Sequence, residues 1–374
     1  MAAIYIHIPF CRSKCHYCNF FSVASKKLKE GFLPALLSEA QLQKDYLSGE
    51  PVDTIYFGGG TPSMLDTEEI RDILEVLCKC HPVANDAEIT IEANPDDVLP
   101  AKAERWKRAG INRISLGIQS FCEGDLRYLN RVHDRESALK APAVLKESGF
   151  ENISIDLIYG IHGMTETSWN NNLEIFFSLE IPHLSAYSLT VEKGTPLDLF
   201  ISQGKAKAPS VEHPVRQFNI LMDRMEERGF VHYEISNFGL PGRFSGHNVN
   251  YWTGGKYLGL GPSAHSYDQG SRQWNVSSVS GYISSVRDGR LPFETEALSE
   301  KEHHNEYVML ALRTVWGISR QHVKNAFGRS HDDRLGKLCA GPEADGLVVT
   351  THDRIFLTRK GKLFADRIAA GLFL

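Results

Sequence analysis

The segment IYIHIPFCRSKCHYCNFFS, residues 4–22, decides the fold and raises the question of function. Its first five residues form an apolar run that predicts a short strand. Three thiols follow that strand within eight residues, at Cys11, Cys15 and Cys18. A structural zinc site usually has four ligands, so zinc would also need His7 or His16. A [4Fe-4S] cluster is normally held by four thiolates, so three would leave one iron open to another ligand, such as an amino-carboxylate group.

The bulk composition indicates a globular protein with reduced thiols. The chain has 374 residues, of which 42% are hydrophobic, enough for one large domain and a smaller one. A formal net charge of −5 argues against a nucleic-acid binder that works by bulk charge. Seven cysteines, an odd number, favour metal binding over a disulfide framework. Neither a signal-peptide pattern nor an apolar run of roughly 18–20 residues is visible, so we expect a cytoplasmic protein.

Strand-like and helical patterns alternate about six times in the first half of the chain. The predicted strands are Ile4–Ile8, Thr54–Phe57, Glu88–Glu92, Arg113–Ile118, Ile153–Tyr159 and Leu184–Val191. The predicted helices are Phe32–Leu47, Glu68–Cys80, Pro100–Ala109, Asp134–Ser148, Glu166–Leu179 and Glu212–Arg228. This alternation predicts an α/β fold with a parallel sheet, either doubly wound or a barrel. After residue 298, helices followed by a hairpin near His352 and Asp353 predict a smaller helical, winged-helix-like domain.

Further polar and glycine residues lie at the ends of the predicted strands. Gly58–Gly60 lets the backbone approach a ligand closely, although such a run can also be a plain tight turn. Glu92 and Gln119 lie at the ends of two predicted strands. Glu92 could bind a ligand there, or it could be an ordinary solvent-exposed acid at a strand end. Asp156 lies inside an apolar strand, where a carboxylate needs a partner or a ligand. Successive strand ends meet at the mouth of a barrel, where such residues form a site.

The cysteine spacing C-x3-C-x2-C, with Tyr17 before the third cysteine, resembles the loop of the radical S-adenosylmethionine (SAM) superfamily. The resemblance implies a [4Fe-4S] cluster on Cys11, Cys15 and Cys18, whose open iron binds the amino and carboxylate groups of SAM. It also implies cleavage of SAM to a 5′-deoxyadenosyl radical by the reduced cluster.

The motifs GGGTPS, IEANP, LGIQSF, NR, IDLIYG and YEISNF together resemble the oxygen-independent coproporphyrinogen III oxidase family over nearly the whole chain. This resemblance implies a partial (βα)6 radical-SAM-type barrel in residues 1–235, a connecting region in 236–298 and the winged-helix-like domain in 299–374. It also implies SAM contacts from a set of residues around the barrel mouth: Tyr5, Tyr17, Gly59, Gly60, Thr61, Glu92, Gln119, Arg131 and Asp156.

That family contains two kinds of member. The oxidases, by this resemblance, carry a fourth cysteine two residues after the third and a longer N-terminal extension, whereas this chain has Phe20 there and ten residues before Cys11. The HemW heme chaperone subgroup carries an HNxxYW motif, and this chain reads GHNVNYW, with His247, Asn248, Tyr251 and Trp252. Histidine ligates heme iron and aromatic rings stack on a porphyrin, although these side chains can equally fix the loop by packing.

The sequence therefore predicts a heme chaperone that binds a [4Fe-4S] cluster, SAM and heme. Its expected partners are heme-acceptor proteins and an electron donor, with no nucleic acid, and with membrane association only through partners. The alternatives are an oxidase that decarboxylates coproporphyrinogen III and a structural zinc protein.

Overall fold

The computed structural model describes residues 2–24, 28–210 and 212–374. Its core is a run of six parallel strands that pair in chain order. They are β1 (Ala2–Ile8), β2 (Val52–Gly59), β3 (Val83–Ala93), β4 (Arg113–Gln119), β5 (Asn152–Tyr159) and β6 (His183–Ser188). Most of their residues are buried, as expected for a parallel sheet that helices cover. All six predicted strands are confirmed.

Helices connect consecutive strands, which is the connection that parallel strands require. They are α1 (Lys29–Leu42), α2 (Thr67–Cys80), α3 (Pro100–Arg108), α4 (Glu123–Tyr128), α5 (Arg135–Glu147) and α6 (Glu166–Ser178). A capping box opens α2, with Asp66 and Glu69 bonded reciprocally. The first helix ends at Leu42, five residues before its predicted end at Leu47, and the chain continues in turns as far as Gly49.

The segment after β6 extends the sheet at both edges. It contributes α7 (Pro196–Ser202), α8 (His213–Glu227), β7 (Val231–Glu234), β8 (Asn237–Gly239), α9 (Gly246–Trp252), β9 (Lys256–Leu260), β10 (His265–Tyr267), β11 (Ser271–Asn275), α10 (Val279–Arg287) and β12 (Phe293–Ala297). Strand β9 pairs parallel to β1, and β8 pairs antiparallel to β6. The described strands thus form one open twelve-stranded sheet that runs across the predicted boundary at residue 235. The domain boundaries themselves stay predictions.

The predicted connecting region, residues 236–298, contains two helices, α9 and α10, besides its strands. Helix α9 has only seven residues, too few to show a helical period in the sequence. Its start is fixed by Ser245, whose hydroxyl accepts a hydrogen bond from the Asn248 amide.

The last segment forms a second small core. It comprises α11 (Glu300–Leu312), β13 (Ile318–Ser319), α12 (Arg320–Ala326), α13 (Arg329–Ala344), β14 (Val348–Thr350), β15 (Arg354–Leu357), α14 (Arg359–Lys362) and α15 (Ala365–Leu372). The predicted hairpin is present between β14 and β15, and it turns at His352 and Asp353. This order confirms the α/β class with a smaller winged-helix-like domain. Within the described ranges, helices with the length and apolar character of a membrane span are absent.

Candidate functional site

A cavity of about 500 Å³ opens at the carboxyl ends of β1–β6. This is the end of a βα barrel that carries its functional loops. Most of the side chains proposed from the sequence line this one cavity: Cys11, Cys15, Tyr17, Cys18, Gly59, Gly60, Thr61, Glu92, Gln119, Arg131, Asp156 and Asn248. Four others lie outside its lining: Tyr5, His247, Tyr251 and Trp252.

The cysteine loop is held in place by backbone hydrogen bonds to neighbouring segments. The Cys11 amide donates to the carbonyl of Val23 over 3.1 Å, and the His16 amide donates to the carbonyl of Leu129 over 3.1 Å. The Cys18 amide donates to the carbonyl of Cys15 over 3.3 Å, which turns the loop back toward the cavity. These hydrogen bonds hold the loop so that all three thiols line the same cavity.

Both histidines that zinc would need are engaged elsewhere. The Nε2 atom of His7 lies 2.8 Å from the carbonyl of Phe21, and its Nδ1 atom lies 3.2 Å from the Tyr5 hydroxyl. The Nδ1 atom of His16 lies 3.0 Å from the carbonyl of Tyr128. Among the residues that the structure describes, no three His, Cys, Asp or Glu side chains converge on one ion position. The three thiols are among these side chains, so their spacing favours neither zinc nor a cluster, and only the hydrogen bonds of His7 and His16 argue against zinc in particular.

The glycines at the end of β2 allow the backbone to approach the cysteine loop closely. A Cβ atom on Gly60 would lie 2.6 Å from the carbonyl oxygen of Phe10 and 3.0 Å from the Cys11 sulfur. Gly59 has a φ of 108°, a conformation that favours glycine. The triplet is thus a cradle that a larger side chain would fill, rather than a plain tight turn.

Two half-buried carboxyl groups, Glu92 and Asp156, line the cavity. Glu92 accepts hydrogen bonds from the Tyr56 hydroxyl (2.9 Å) and the Gly59 amide (3.2 Å). Burial raises the pKa of Glu92 to about 8, and the nearby Asp156 adds to this shift. Burial also raises the pKa of Asp156 to about 6. Such a pair favours a ligand that brings hydroxyl groups or positive charge, because either would stabilise the ionised carboxylates.

Arg131 links the cysteine loop to β4. Its Nη1 atom donates to the Cys15 sulfur over 3.3 Å, and its Nη2 atom donates to the carbonyl of Gly117 over 2.8 Å. Its Nε atom is buried without a partner among the described residues. Gln119 ends the strand with a φ of 68°, an uncommon backbone for a non-glycine residue that often marks a functional position.

The sequence reasoning missed Arg113, Ser115 and Tyr56, which also line the cavity. Arg113 is buried, and its Nε atom forms an ion pair with Glu88 over 3.7 Å. Arg113, Ser115, Gly117 and Gln119 alternate along β4 and so share one face, as period-two geometry dictates. That alternation was the available signal, because polar residues at every second position mark the face that points into the barrel.

Two residues, Tyr5 and Phe20, bear on what the sequence predicted for this cavity. Tyr5 lies behind the cavity wall, where a Cβ on Gly58 would come within 2.8 Å of its ring. The structure therefore does not bring Tyr5 to the ligand space. Phe20, at the position of the oxidases' fourth cysteine, lines the cavity rim with 68% of its surface exposed.

The GHNVNYW motif forms helix α9, and its side chains point in different directions. Asn248 lines the cavity, whereas His247 is buried beneath it. The His247 Nδ1 atom lies 2.8 Å from the Thr54 hydroxyl, and its Nε2 atom lies 3.1 Å from the Tyr251 hydroxyl. Burial lowers the pKa of His247 to about 3, so the ring is neutral. Because both ring nitrogens are engaged, His247 could ligate a metal only after one of these hydrogen bonds broke.

The cavity has the donors that a [4Fe-4S] cluster with SAM requires. Three thiols share a wall, a glycine cradle borders it, and the buried Nε atom of Arg131 lacks a hydrogen-bond partner among the described residues. Buried polar groups are normally hydrogen-bonded, so orphaned atoms that line a cavity point to a polar ligand.

The fold and this cavity define a protein of the radical SAM class. The sequence profile "Radical SAM superfamily" matches residues 5–174, and the profile "HemN C-terminal domain" matches residues 298–364. The solved coproporphyrinogen III oxidase HemN from Escherichia coli superposes with a TM-score of 0.86 over 100% of this chain and 90% of that one. Sequence identity to it is 24%, so this likeness concerns the fold alone.

Relatives in several organisms match along most or all of the chain. The heme chaperone HemW of Bacillus subtilis is 34% identical, with 100% of this chain and 99% of that protein covered. HemW of Mycobacterium tuberculosis is 33% identical, with 99% and 94% covered. The mitochondrial radical S-adenosyl methionine domain-containing protein 1 of Bos taurus is 32% identical, with 86% and 75% covered. The chain belongs to the HemW family of the radical SAM superfamily.

Proposed function

We propose that this protein is a heme chaperone that carries a [4Fe-4S] cluster on Cys11, Cys15 and Cys18, binds SAM beside it, and passes heme to acceptor proteins. The observation that carries the proposal is the full-length match to proteins named heme chaperone HemW, at 34% identity to the Bacillus subtilis protein. The three thiols on one cavity wall support the cluster part of the proposal.

Each residue around the cavity has a defined task in this proposal. The three thiolates hold the cluster, and Arg131 donates to the Cys15 sulfur, which stabilises its negative charge. Glu92 and Asp156 accept hydrogen bonds from SAM, and the backbone at Gly59 and Gly60 leaves room for its methionine end. When bound, the reduced cluster supplies an electron to the SAM sulfonium, which is the chemistry that radical SAM proteins share. In this chain we propose a role for it in electron transfer or in control of assembly.

The partners follow from the cargo. A heme carrier needs acceptor proteins that take the heme, and a cluster that is reduced needs an electron donor. We propose no nucleic-acid partner, because the C-terminal domain lacks a dense stripe of Lys and Arg. Action in the cytoplasm, with membrane association only through partners, is part of the same proposal.

Decarboxylation of coproporphyrinogen III is the competing activity, since an oxidase shares the fold. The sequence departs from the oxidase pattern at Phe20, whose exposed ring lies at the cavity rim. A phenyl ring offers no metal-binding atom at that position.

One anaerobic experiment separates the two activities. The reconstituted protein is analysed for iron, sulfide and visible absorbance, and then titrated with heme in the presence of apomyoglobin as a test acceptor. A parallel sample receives dithionite, SAM and coproporphyrinogen III. We expect a brown cluster protein that binds heme and transfers it, without protoporphyrinogen formation. Formation of protoporphyrinogen at a catalytic rate would establish the oxidase, and absence of heme binding would refute the chaperone.

A further inference from the structure

A second cavity, of about 900 Å³, lies between the end of α9 and the C-terminal domain. It falls in the size range of ligand pockets. Trp252, the last residue of the GHNVNYW motif, lines it, whereas Asn248 of the same helix lines the first cavity. The motif thus borders two separate spaces, and the second one contains none of the cysteine loop.

One face of α11 forms a wall of this second cavity, which we call the C-terminal cleft. Its lining residues recur at helical spacing: His303, Glu306, Tyr307, Leu310 and Ala311, and Thr314 continues the wall just past the helix. The barrel side contributes Trp252 and Tyr267, and α12 with its flanking residues contributes Trp316, His322, Ala326 and Phe327. The cleft therefore has aromatic rings on both of its walls, which suits a large planar ligand.

Two histidines in the cleft have ring nitrogens available for a metal. Among the described residues, the rings of His303 and His322 make no hydrogen bond, in contrast to His247 in the motif itself. The His322 ring packs on Tyr307, with centroids 4.3 Å apart. This partial burial lowers the pKa of His322, which favours the neutral imidazole that ligates iron.

The cleft also contains a cation suited to a carboxylate. Arg354 lines it and has no carboxylate partner among the described residues, although its Nη1 atom donates to the carbonyl of Trp316 over 2.6 Å. By contrast, Arg272 nearby is already paired with Glu306 and Glu296. A guanidinium that keeps free N–H groups can bind a propionate.

We propose that the C-terminal cleft is the heme site of this protein, with an axial ligand from the His303 and His322 pair, stacking on Trp252 and Trp316, and Arg354 bound to a propionate. The inference rests on the proposed function, which supplies heme as the cargo. It separates the two cofactor spaces: the first cavity holds cluster and SAM, and the cleft holds heme. The cleft's place at a domain boundary suits a cargo that must leave again.

The test is a titration of the full-length protein with ferric heme, followed by Soret absorbance and tryptophan fluorescence. Two cleft variants are compared. The first is a double variant that combines His303→Ala with His322→Ala. The second is Ala326→Trp, which fills the cleft from an exposed position. Their matched controls are His352→Ala on the exposed hairpin turn and Ala340→Trp on the outer face of α13. Iron-free protoporphyrin IX serves as a second probe, because it can stack but cannot take an axial ligand.

We expect both cleft variants to bind heme at least tenfold more weakly than the wild type, with unchanged cluster content, while the controls bind normally. The histidine double variant should also lose the wild-type Soret position and bind heme no better than protoporphyrin IX. If the wild type binds heme and both cleft variants match their controls, the cleft assignment is wrong and the proposed function stands. A wild type that binds no heme refutes the proposed function itself.

Discussion

Glu92 illustrates how a single side chain of this site depends on its surroundings. Its carboxyl group is half-buried near Asp156, and its pKa is raised to about 8 by burial. In the unfolded chain the same group titrates near its ordinary value of 4.5. Between these two pH values the folded protein binds the proton that the unfolded chain has released. The stability that this group contributes is therefore complete below about pH 4.5 and is lost as the pH rises toward 8.

We accordingly predict that Glu92→Gln flattens the pH dependence of stability in the cofactor-free protein. The wild type should lose up to about 1.4 kcal/mol of unfolding free energy per pH unit from this group between pH 5 and 8, and the variant should not. Urea denaturation at a series of pH values measures the difference between the two proteins. Parallel curves would show that Glu92 titrates normally in the folded state.

The cysteine loop yields a second prediction at this scale. Cys15→Ala should abolish the [4Fe-4S] cluster, because one iron would lose its thiolate and Arg131 would lose the sulfur it contacts. Iron and sulfide analysis with visible spectroscopy after anaerobic reconstitution measures this. Cys78→Ala, at an exposed position on α2, is the control and should keep a full cluster. Equal iron content in both variants would contradict the assignment of Cys15.

At the scale of elements, α9 is fixed to the sheet by its histidine. The His247 ring bonds to Thr54 on β2 and to Tyr251 one turn along the helix, and it stacks on Tyr56 with centroids 4.9 Å apart. The sequence analysis named His247 as a residue that could ligate heme iron, with packing of the loop as the alternative. The observed contacts show that His247 fixes α9 to the sheet, which agrees with the alternative that this side chain fixes the loop by packing.

We expect His247→Ala to lower the free energy of unfolding by about 1–3 kcal/mol, because the buried hydroxyl of Thr54 and the half-buried hydroxyl of Tyr251 lose their partner. His265→Ala, at an exposed position on β10, should change it by less than about 0.5 kcal/mol. Equilibrium urea unfolding measures both. With heme bound, the Soret position of the His247 variant should match that of the wild type, and a shifted Soret band would mean that His247 ligates the iron after all.

At the scale of the whole molecule, Arg313 joins the barrel to the C-terminal domain. Its Nε and Nη2 atoms both donate over 3.2 Å to Glu234, whose side chain is 1% exposed at the end of β7. Its Nη1 atom also bonds to Asp366, and its guanidinium lies 5.1 Å from the centre of the Trp252 ring. The residue thus touches the barrel, the last helix and the C-terminal cleft.

Arg313→Ala should therefore destabilise the protein by about 2–3 kcal/mol, since it leaves the Glu234 carboxylate buried without its cation. Asp366→Ala removes the other partner, which is 84% exposed, and should cost at most about 0.5 kcal/mol. Thermal or urea unfolding measures stability, and limited proteolysis near residue 298 reports on loosening between the domains. Equal stability of the two variants would show that the buried pair does not hold the domains together.

The sequence by itself determined the six βα units, the winged-helix-like end and the cysteine loop at the barrel mouth. These features are local: alternating apolar runs set strands and helices, and Cys11, Cys15 and Cys18 lie within eight residues. It also placed Glu92, Gln119 and Asp156 correctly at one cavity, because parallel strands end at the same edge.

Only the tertiary structure decided what depends on contacts between distant segments. The pairing of β9 with β1 extended the sheet through a stretch that has no readable period. Tyr5 lies outside the lining of the first cavity, and the His247 ring bonds to Thr54, which is distant in sequence, as well as to Tyr251 of its own motif. The C-terminal cleft joins residues from positions 252 to 354, so no local pattern could have revealed it.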